Sequence, residues 1–216
     1  MNVDLKGVVR SPQSGISKSE NVEYELELSD QGDLLVAQGL QPMTPIVQRG
    51  DSWWILEATA VAPVVALPTT TAQLTLQNLE NDDGKSLVID ELFCHVLVSA
   101  AAATSVGMVF MLNSLQLKGA PLTQGALTVR SFSGKSYGGK ALHQVGATVV
   151  DGGWRPYGTA IVGAASQIMQ TFSWPTQGGI IVPPGYKFSV SVVANTVTTI
   201  TTRAGLSWTE RKLRLG

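Results

Sequence analysis

The chain has 216 residues, enough for one good core with a small appendage. Charged residues make up only 14% against 44% hydrophobic, and a net charge of −1 excludes a dedicated nucleic-acid binder, which needs a basic field. The single cysteine, Cys94, excludes an intrachain disulfide and a cysteine zinc cluster, and no apolar run reaches the ~18 residues of a membrane-spanning helix.

In chain order, residues 1 to about 20 are polar and read as an arm. The opening Met1-Asn2-Val3-Asp4-Leu5-Lys6 lacks the pattern of a signal peptide, so the expectation is a protein made in a cytosol. Residues 22–40 read as a β-hairpin: Val22 to Leu28 alternates, Ser29-Asp30-Gln31-Gly32-Asp33 turns, and Leu34-Leu35-Val36-Ala37 returns. Gln41-Pro42-Met43-Thr44-Pro45 is a linker, which gives two regions, a docking arm and hairpin at 1–50 and a body at 51–216. Residues 1–51 carry eight acids against four bases and residues 52–216 eight against eleven, a pattern that suits docking between subunits.

The body reads as eight to ten short strands. They are expected near Trp53–Val61, Ala72–Leu79, Leu87–Ser99, Val106–Asn113, Ala126–Phe132, Leu142–Val150, Gln167–Trp174, Ile180–Val182, Tyr186–Val193 and Leu206–Leu213. The clearest signal is Ile180-Ile181-Val182 stopping at Pro183-Pro184-Gly185, followed by strict alternation. Tyr186, Phe188, Val190 and Val192 fall on one face and Lys187, Ser189 and Ser191 on the other. Glycine-rich turns at 81–84, 133–134, 151–153 and 175–179 separate the rest, and Ala100–Ala103 could form one helical turn. Short strands with regular turns give an all-β fold, an antiparallel β-sandwich with a jelly roll of eight main strands ahead of an immunoglobulin-like arrangement. So few charges on a chain with a full apolar complement point to surface buried against other protein.

Strings that resemble active-site motifs fail on context. Gly134-Lys135-Ser136-Tyr137-Gly138 fits G-x-S-x-G, but Gly139 follows at once where a helix must start, and His143 precedes Asp151 against the order a triad requires. Gly84-Lys85-Ser86 and Gly134-Lys135-Ser136 lack the earlier glycine of a phosphate loop, with Leu79 and Val129 in its place. His95 and His143 lie far apart with no second ligand nearby, which removes a cupin-type metal centre, and no cofactor is expected. Asn81-Asp82-Asp83-Gly84 is a hairpin tip before it is a calcium site, and Arg49-Gly50-Asp51 is turn material. Among Glu57, Asp90, Glu91, Asp151 and Glu210, spacing selects no carboxylate pair.

Partner contacts are therefore expected from hydrophobic and aromatic positions. These are Tyr24, Leu26 and Leu28 on the hairpin, Trp53-Trp54 at the start of the body, and Trp154, Arg155 and Tyr157 in the loop Asp151–Gly158. If exposed, that loop and Trp174 could also stack on a sugar ring.

The polar arm, the hairpin, the proline-rich linker and the Gly/Thr/Ala-rich body, with phrases such as Ile181-Val182-Pro183-Pro184-Gly185-Tyr186-Lys187-Phe188, resemble the small virion proteins of tailed bacteriophages. Those are capsid decoration (cement) proteins and related jelly-roll head or fibre components. The resemblance implies a non-enzymatic homotrimer or other small symmetric oligomer. It would sit on the outer surface of a virion, with the arm or hairpin gripping the major capsid protein. The alternative is a carbohydrate- or receptor-binding β-sandwich such as a fibre or adhesin module.

Overall fold

The structure is a computed structural model that describes residues 47, 50–81, 84–98, 104–113, 122–123, 125, 127–150, 153–163, 169–196 and 200–213. The chain divides into two units, Met1–Arg49 and Gly50–Gly216, and apart from Val47 the described residues belong to the second. The expected arm and hairpin, with Tyr24, Leu26 and Leu28, lie outside the described residues, as does the helical turn at Ala100–Ala103.

Ten strands are described: β1 (Ser52–Leu56), β2 (Thr71–Asn78), β3 (Ser86–Val98), β4 (Thr104–Asn113), β5 (Arg130–Ser131), β6 (Ala141–Thr148), β7 (Arg155–Val162), β8 (Gln170–Val182), β9 (Lys187–Ala194) and β10 (Thr201–Arg211). They form two five-stranded sheets, ordered β5-β1-β10-β3-β8 and β6-β2-β9-β4-β7, with every ladder antiparallel. With β5 and β6, the strands at one edge of each sheet, set aside, the remaining strands pair first with last, second with seventh, third with sixth and fourth with fifth. That pairing is the wrap of a jelly roll, in which a folded double ribbon distributes its strands alternately over two sheets.

The core lies between the sheets. On β9 the alternation places Phe188, Val190 and Val192 in it, beside Leu76 and Leu74 of β2 and Phe110 and Met108 of β4. The strand is not the half-buried one its pattern predicts, because Lys187, Ser189 and Ser191 on the opposite face are buried as well. Trp53 and Ile55 of β1, Leu92 and Cys94 of β3, and Ala204, Leu206 and Trp208 of β10 close it from the first sheet. Each fully buried aliphatic or aromatic side chain contributes about 1.5–3 kcal/mol of transfer free energy. Strand β4 is buried on both faces. Its Val106, Met108 and Phe110 enter the main core, while Val109 and Met111 join Val149 and Trp154 in a smaller cluster on the other side. A strand covered on both faces reads as a continuous apolar run, as Met108-Val109-Phe110-Met111-Leu112 does.

Four elements differ from the sequence expectation. The strand expected at Trp53–Val61 ends at Leu56, and of the one expected at Ala126–Phe132 only Arg130–Ser131 is strand among the described residues. Residues 155–158, expected as part of the loop Asp151–Gly158, instead open strand β7 (Arg155–Val162), in which Pro156 is tolerated because β7 is an edge strand of its sheet, and a register shift falls beside it. Of the two strands expected about a turn at 167–174 and 180–182, residues 170–174 and 180–182 belong to the single strand β8, and 167–168 lie outside the described residues. The Pro175–Gly179 stretch is an irregularity opposite Ile89–Glu91, with Gln177 at φ 53° and Gly178 at φ 74°. Thr176 Oγ1 donates to the carbonyl of Ile89 and holds the excursion against β3. The turn at Pro183-Pro184-Gly185 is as expected, with Gly185 at φ 78°.

Gly205 on β10 shows how close packing sets residue choice. It pairs with Phe93 of β3, and a Cβ there would overlap the Phe93 ring. Gly205→Ala is expected to cost about 1–3 kcal/mol in chemical denaturation, the usual range for overpacking. In a Phe93→Ala background the cost should fall below about 0.5 kcal/mol, and a cost that stayed the same would place the strain elsewhere.

Candidate functional site

Strands β7 and β8 are the outermost strands of their sheets on the same side of the sandwich, and there the two sheets meet in an aromatic rim. Phe172 and Trp174 of β8, both half-buried, stack with ring centroids 6.3 Å apart at 27°. Trp174 packs on Gly158 of β7 so closely that a Cβ there would strike the indole. Tyr157 of β7 meets Phe110 edge-on at 5.7 Å, and its hydroxyl donates to the Pro175 carbonyl at 3.1 Å, bridging the two sheets. Arg155 is exposed, with its guanidinium carbon 6.0 Å from the Phe110 ring centroid. On the same two edges Ile161 of β7 is 75% exposed and Met169, just before β8, is 66% exposed. Two strands with one open side each, apolar side chains in solvent and aromatic rings between them make a surface with the features of a protein contact.

The sequence-predicted contacts divide between interior and surface. Trp53 is buried in the core, edge-on to Tyr137 at 4.8 Å, and Trp154 is buried in the smaller cluster. The large faces of both rings are spent on intramolecular packing, which leaves Trp154 no open face for a sugar ring. Trp54 is half-buried and takes the opposite face of β1, across from Ser207 of β10 and Arg130 of β5. Arg155 and Tyr157 lie on the rim. Ile161 and Met169 were not singled out in the sequence, and the alternation of Tyr157, Thr159 and Ile161 with Gly158 and Ala160 is the signal that could have found the strand carrying the first of them.

The serine-motif loop has a structural use. Ser136 is exposed, whereas Tyr137 turns inward between Trp53 and Trp208, edge-on to the second at 6.1 Å. Its hydroxyl donates to Glu210 Oε1 at 2.7 Å and accepts from the Ala141 amide at 2.8 Å, and burial beside the Glu210 carboxylate pushes its pKa upward. His143 is fully buried on β6 of the other sheet, where desolvation lowers its pKa. The motif therefore anchors a loop to the aromatic core and brings no base to Ser136. Burial pushes the Cys94 thiol up to about 12, which makes it inert as a nucleophile. Among the described residues, no group of three or more His, Cys, Asp or Glu is placed to hold a metal ion.

A second feature sits at the end of the sandwich where the β1–β2 connection crosses between the sheets. Val61 exchanges backbone bonds with Thr202 of β10, and Val64 does so with Val192 and Ala194 of β9. Beneath this strap lies a pocket of about 250 Å³. Glu57 lines it and is only 1% exposed. Its Oε2 accepts from the Ala204 amide and from Gln73 Nε2, each at 2.6 Å, while Oε1 has no hydrogen-bond partner. Gln73 in turn accepts from the Val192 amide at 2.9 Å, so the pair links β10 of one sheet to β2 and β9 of the other. Desolvation raises the Glu57 pKa to about 7, although both hydrogen bonds and the charge of Arg203 oppose the shift.

No family model and no curated protein matches the chain. Among solved structures, one similar chain comes from the cryo-EM structure of mud crab dicistrovirus, at a TM-score of 0.25 and 8% identity, covering 100% of this chain and 92% of that one. Another comes from sacbrood virus of honeybee, at a TM-score of 0.19 and 11% identity, covering 100% and 88%. Both neighbours are virus structures of low similarity, and at these scores the likeness carries no argument.

Proposed function

We propose that the chain is a non-enzymatic structural protein of a virion, and more finely a capsid decoration or cement protein that binds and stabilises the shell of a tailed bacteriophage as a homotrimer. The observation that carries the reading is the jelly-roll wrap with an open rim at β7 and β8. This architecture serves viral capsid and lectin domains, and the rim leaves Ile161 and Met169 in solvent on a chain with only 14% charged residues. Of the two uses, the lectin-type one loses its main aromatic, because Trp154 is buried. A decoration protein needs only modest interface per copy, since symmetric repetition converts weak contacts into avidity.

Residues 1–50, acidic and hairpin-like in sequence, are assigned to grip the major capsid protein, and the rim to the contact between copies. Light scattering is expected to give a stable trimer, and Ile161→Asp with Met169→Asp is expected to return a folded monomer. Deletion of residues 1–50 should abolish particle binding while the body keeps its β circular dichroism. A truncated body that still decorates particles would remove the arm from this role, and a wild-type monomer would remove the oligomer.

A further inference from the structure

The pocket beneath the Val61–Pro68 strap stands apart from the rim, and the virion reading makes no use of it. Its walls are apolar, formed by Val61, Val64, Pro68, Val145 and Val192, with Val64 and Val145 partly open to solvent at 43% and 41%. Its polar end is acceptor-rich. Gln73 is engaged at both ends of its amide, one N–H donating to Glu57 and the oxygen accepting from the Val192 amide. The Ser191 hydroxyl already accepts from the Gln73 backbone N–H at 3.1 Å. The orphan is Glu57 Oε1, a buried carboxyl oxygen without a donor, and buried polar atoms left this way in native proteins call for an explanation.

Glu57 lines this mostly apolar slot, where a carboxylate oxygen recognises a donor, and a charged carboxylate recognises a cationic donor most strongly. The volume falls just below the ~300–1,000 Å³ of pockets that hold drug-sized molecules, so the occupant is small. We propose that this pocket is a binding site for a small aliphatic primary amine, its ammonium group donating to Glu57 Oε1 and its alkyl chain lying along Val61, Val64, Val145 and Val192. A carboxylate ligand is repelled by Glu57. An alcohol fills the same slot and donates one uncharged bond.

Bound amine requires Glu57 to be ionised, so below about pH 7 binding releases the Glu57 proton to solvent and affinity falls. The charged and titratable groups that act on Glu57 are Arg203 of β10, which favours the carboxylate, and Cys94 of β3, which stays a neutral thiol throughout this range.

The test is titration of the full chain with n-pentylamine, n-pentanol and pentanoate at about pH 8, followed by methyl NMR shifts and calorimetry. The amine is expected to bind about tenfold more tightly than the alcohol, and pentanoate not to bind. Glu57→Gln keeps an oxygen for Ala204 and Gln73; it should cut amine affinity about tenfold and leave the alcohol within about twofold. Val145→Trp, at the partly exposed wall, should block both ligands with Glu57 intact, which keeps the proposal testable if the first variant does not fold. Equal binding of amine and alcohol, an amine affinity indifferent to Glu57→Gln, survival of binding in Val145→Trp, or no binding of the amine at all would each overturn it.

Discussion

Unfolded in urea at about pH 5 and again at about pH 8, the protein is expected to show a Glu57-dependent loss of about 3 kcal/mol on going to the higher pH. The group's pKa rises from 4.5 in the unfolded chain to about 7 in the folded one, and a pKa unit is worth about 1.4 kcal/mol. Because the folded pKa is the higher, the contribution is fully present below the unfolded value and is lost as pH rises through the folded one, between about 4.5 and 7. Asp90 acts in the same direction, raised by desolvation to about 6, with a smaller weight because it is partly exposed to solvent. His143 acts in the opposite direction: its depressed pKa costs stability as pH falls through the unfolded value. The decisive comparison is therefore between wild type and Glu57→Gln across the same pH range. The variant should be more stable than wild type at about pH 8, and the gap should close towards about pH 5. A gap independent of pH would mean that Glu57 titrates as an ordinary carboxylate.

Trp208→Ala is expected to cost about 3–5 kcal/mol, the usual range for removing a fully buried aromatic. The indole is 0% exposed on β10, the middle strand of its sheet, and Tyr137 rests edge-on against it. Its loss leaves a cavity between the sheets and loosens the loop that Tyr137 pins. Trp208→Phe should cost only about 1–2 kcal/mol, because it keeps a ring in place and removes an indole N–H that has no acceptor. Equilibrium denaturation gives both numbers, and a cost below about 1 kcal/mol for the alanine would show that the site collapses freely.

How much of this was legible in the sequence depended on where each strand lies in the sheets. β9 was plain because one of its faces lies in the core and the other is polar, so Phe188, Val190 and Val192 alternate with Lys187, Ser189 and Ser191. β7 and β8 were misread because they are the outermost strands. An outer strand can carry Pro156 or Pro175 on its open side and can bulge at Gln177-Gly178 without breaking a ladder, and those residues are also the signature of turns. The jelly-roll wrap was an inference from strand count alone; nothing in the local pattern says that β1 lies beside β10. Of the candidate contacts, Trp54, Arg155 and Tyr157 reach the surface and Trp53 and Trp154 do not, since a tryptophan at a strand start looks the same on either face. Glu57 passed as one acid among five. Its setting was the clue: it ends the apolar run Trp53-Trp54-Ile55-Leu56, and strand pairing carries on through it, its amide bonding to the Ala204 carbonyl at 3.1 Å.

The position of β10 between β1 and β3 governs how the body can be assembled in time. Ser52 pairs with Thr209, so the ladder that joins the first strand to its sheet closes a loop of most of the body's length. Until residues 201–211 emerge from the ribosome, β1 and β5 share no ladder with β3 and β8, so the first sheet stays in two pieces while every strand of the facing sheet is already made. Contacts this distant in sequence place folding in the slow, millisecond-to-second range of all-β proteins, and nascent chains that stop short of β10 present two open edges to one another. Folding of the body is thus a late event in synthesis, committed by the tenth strand.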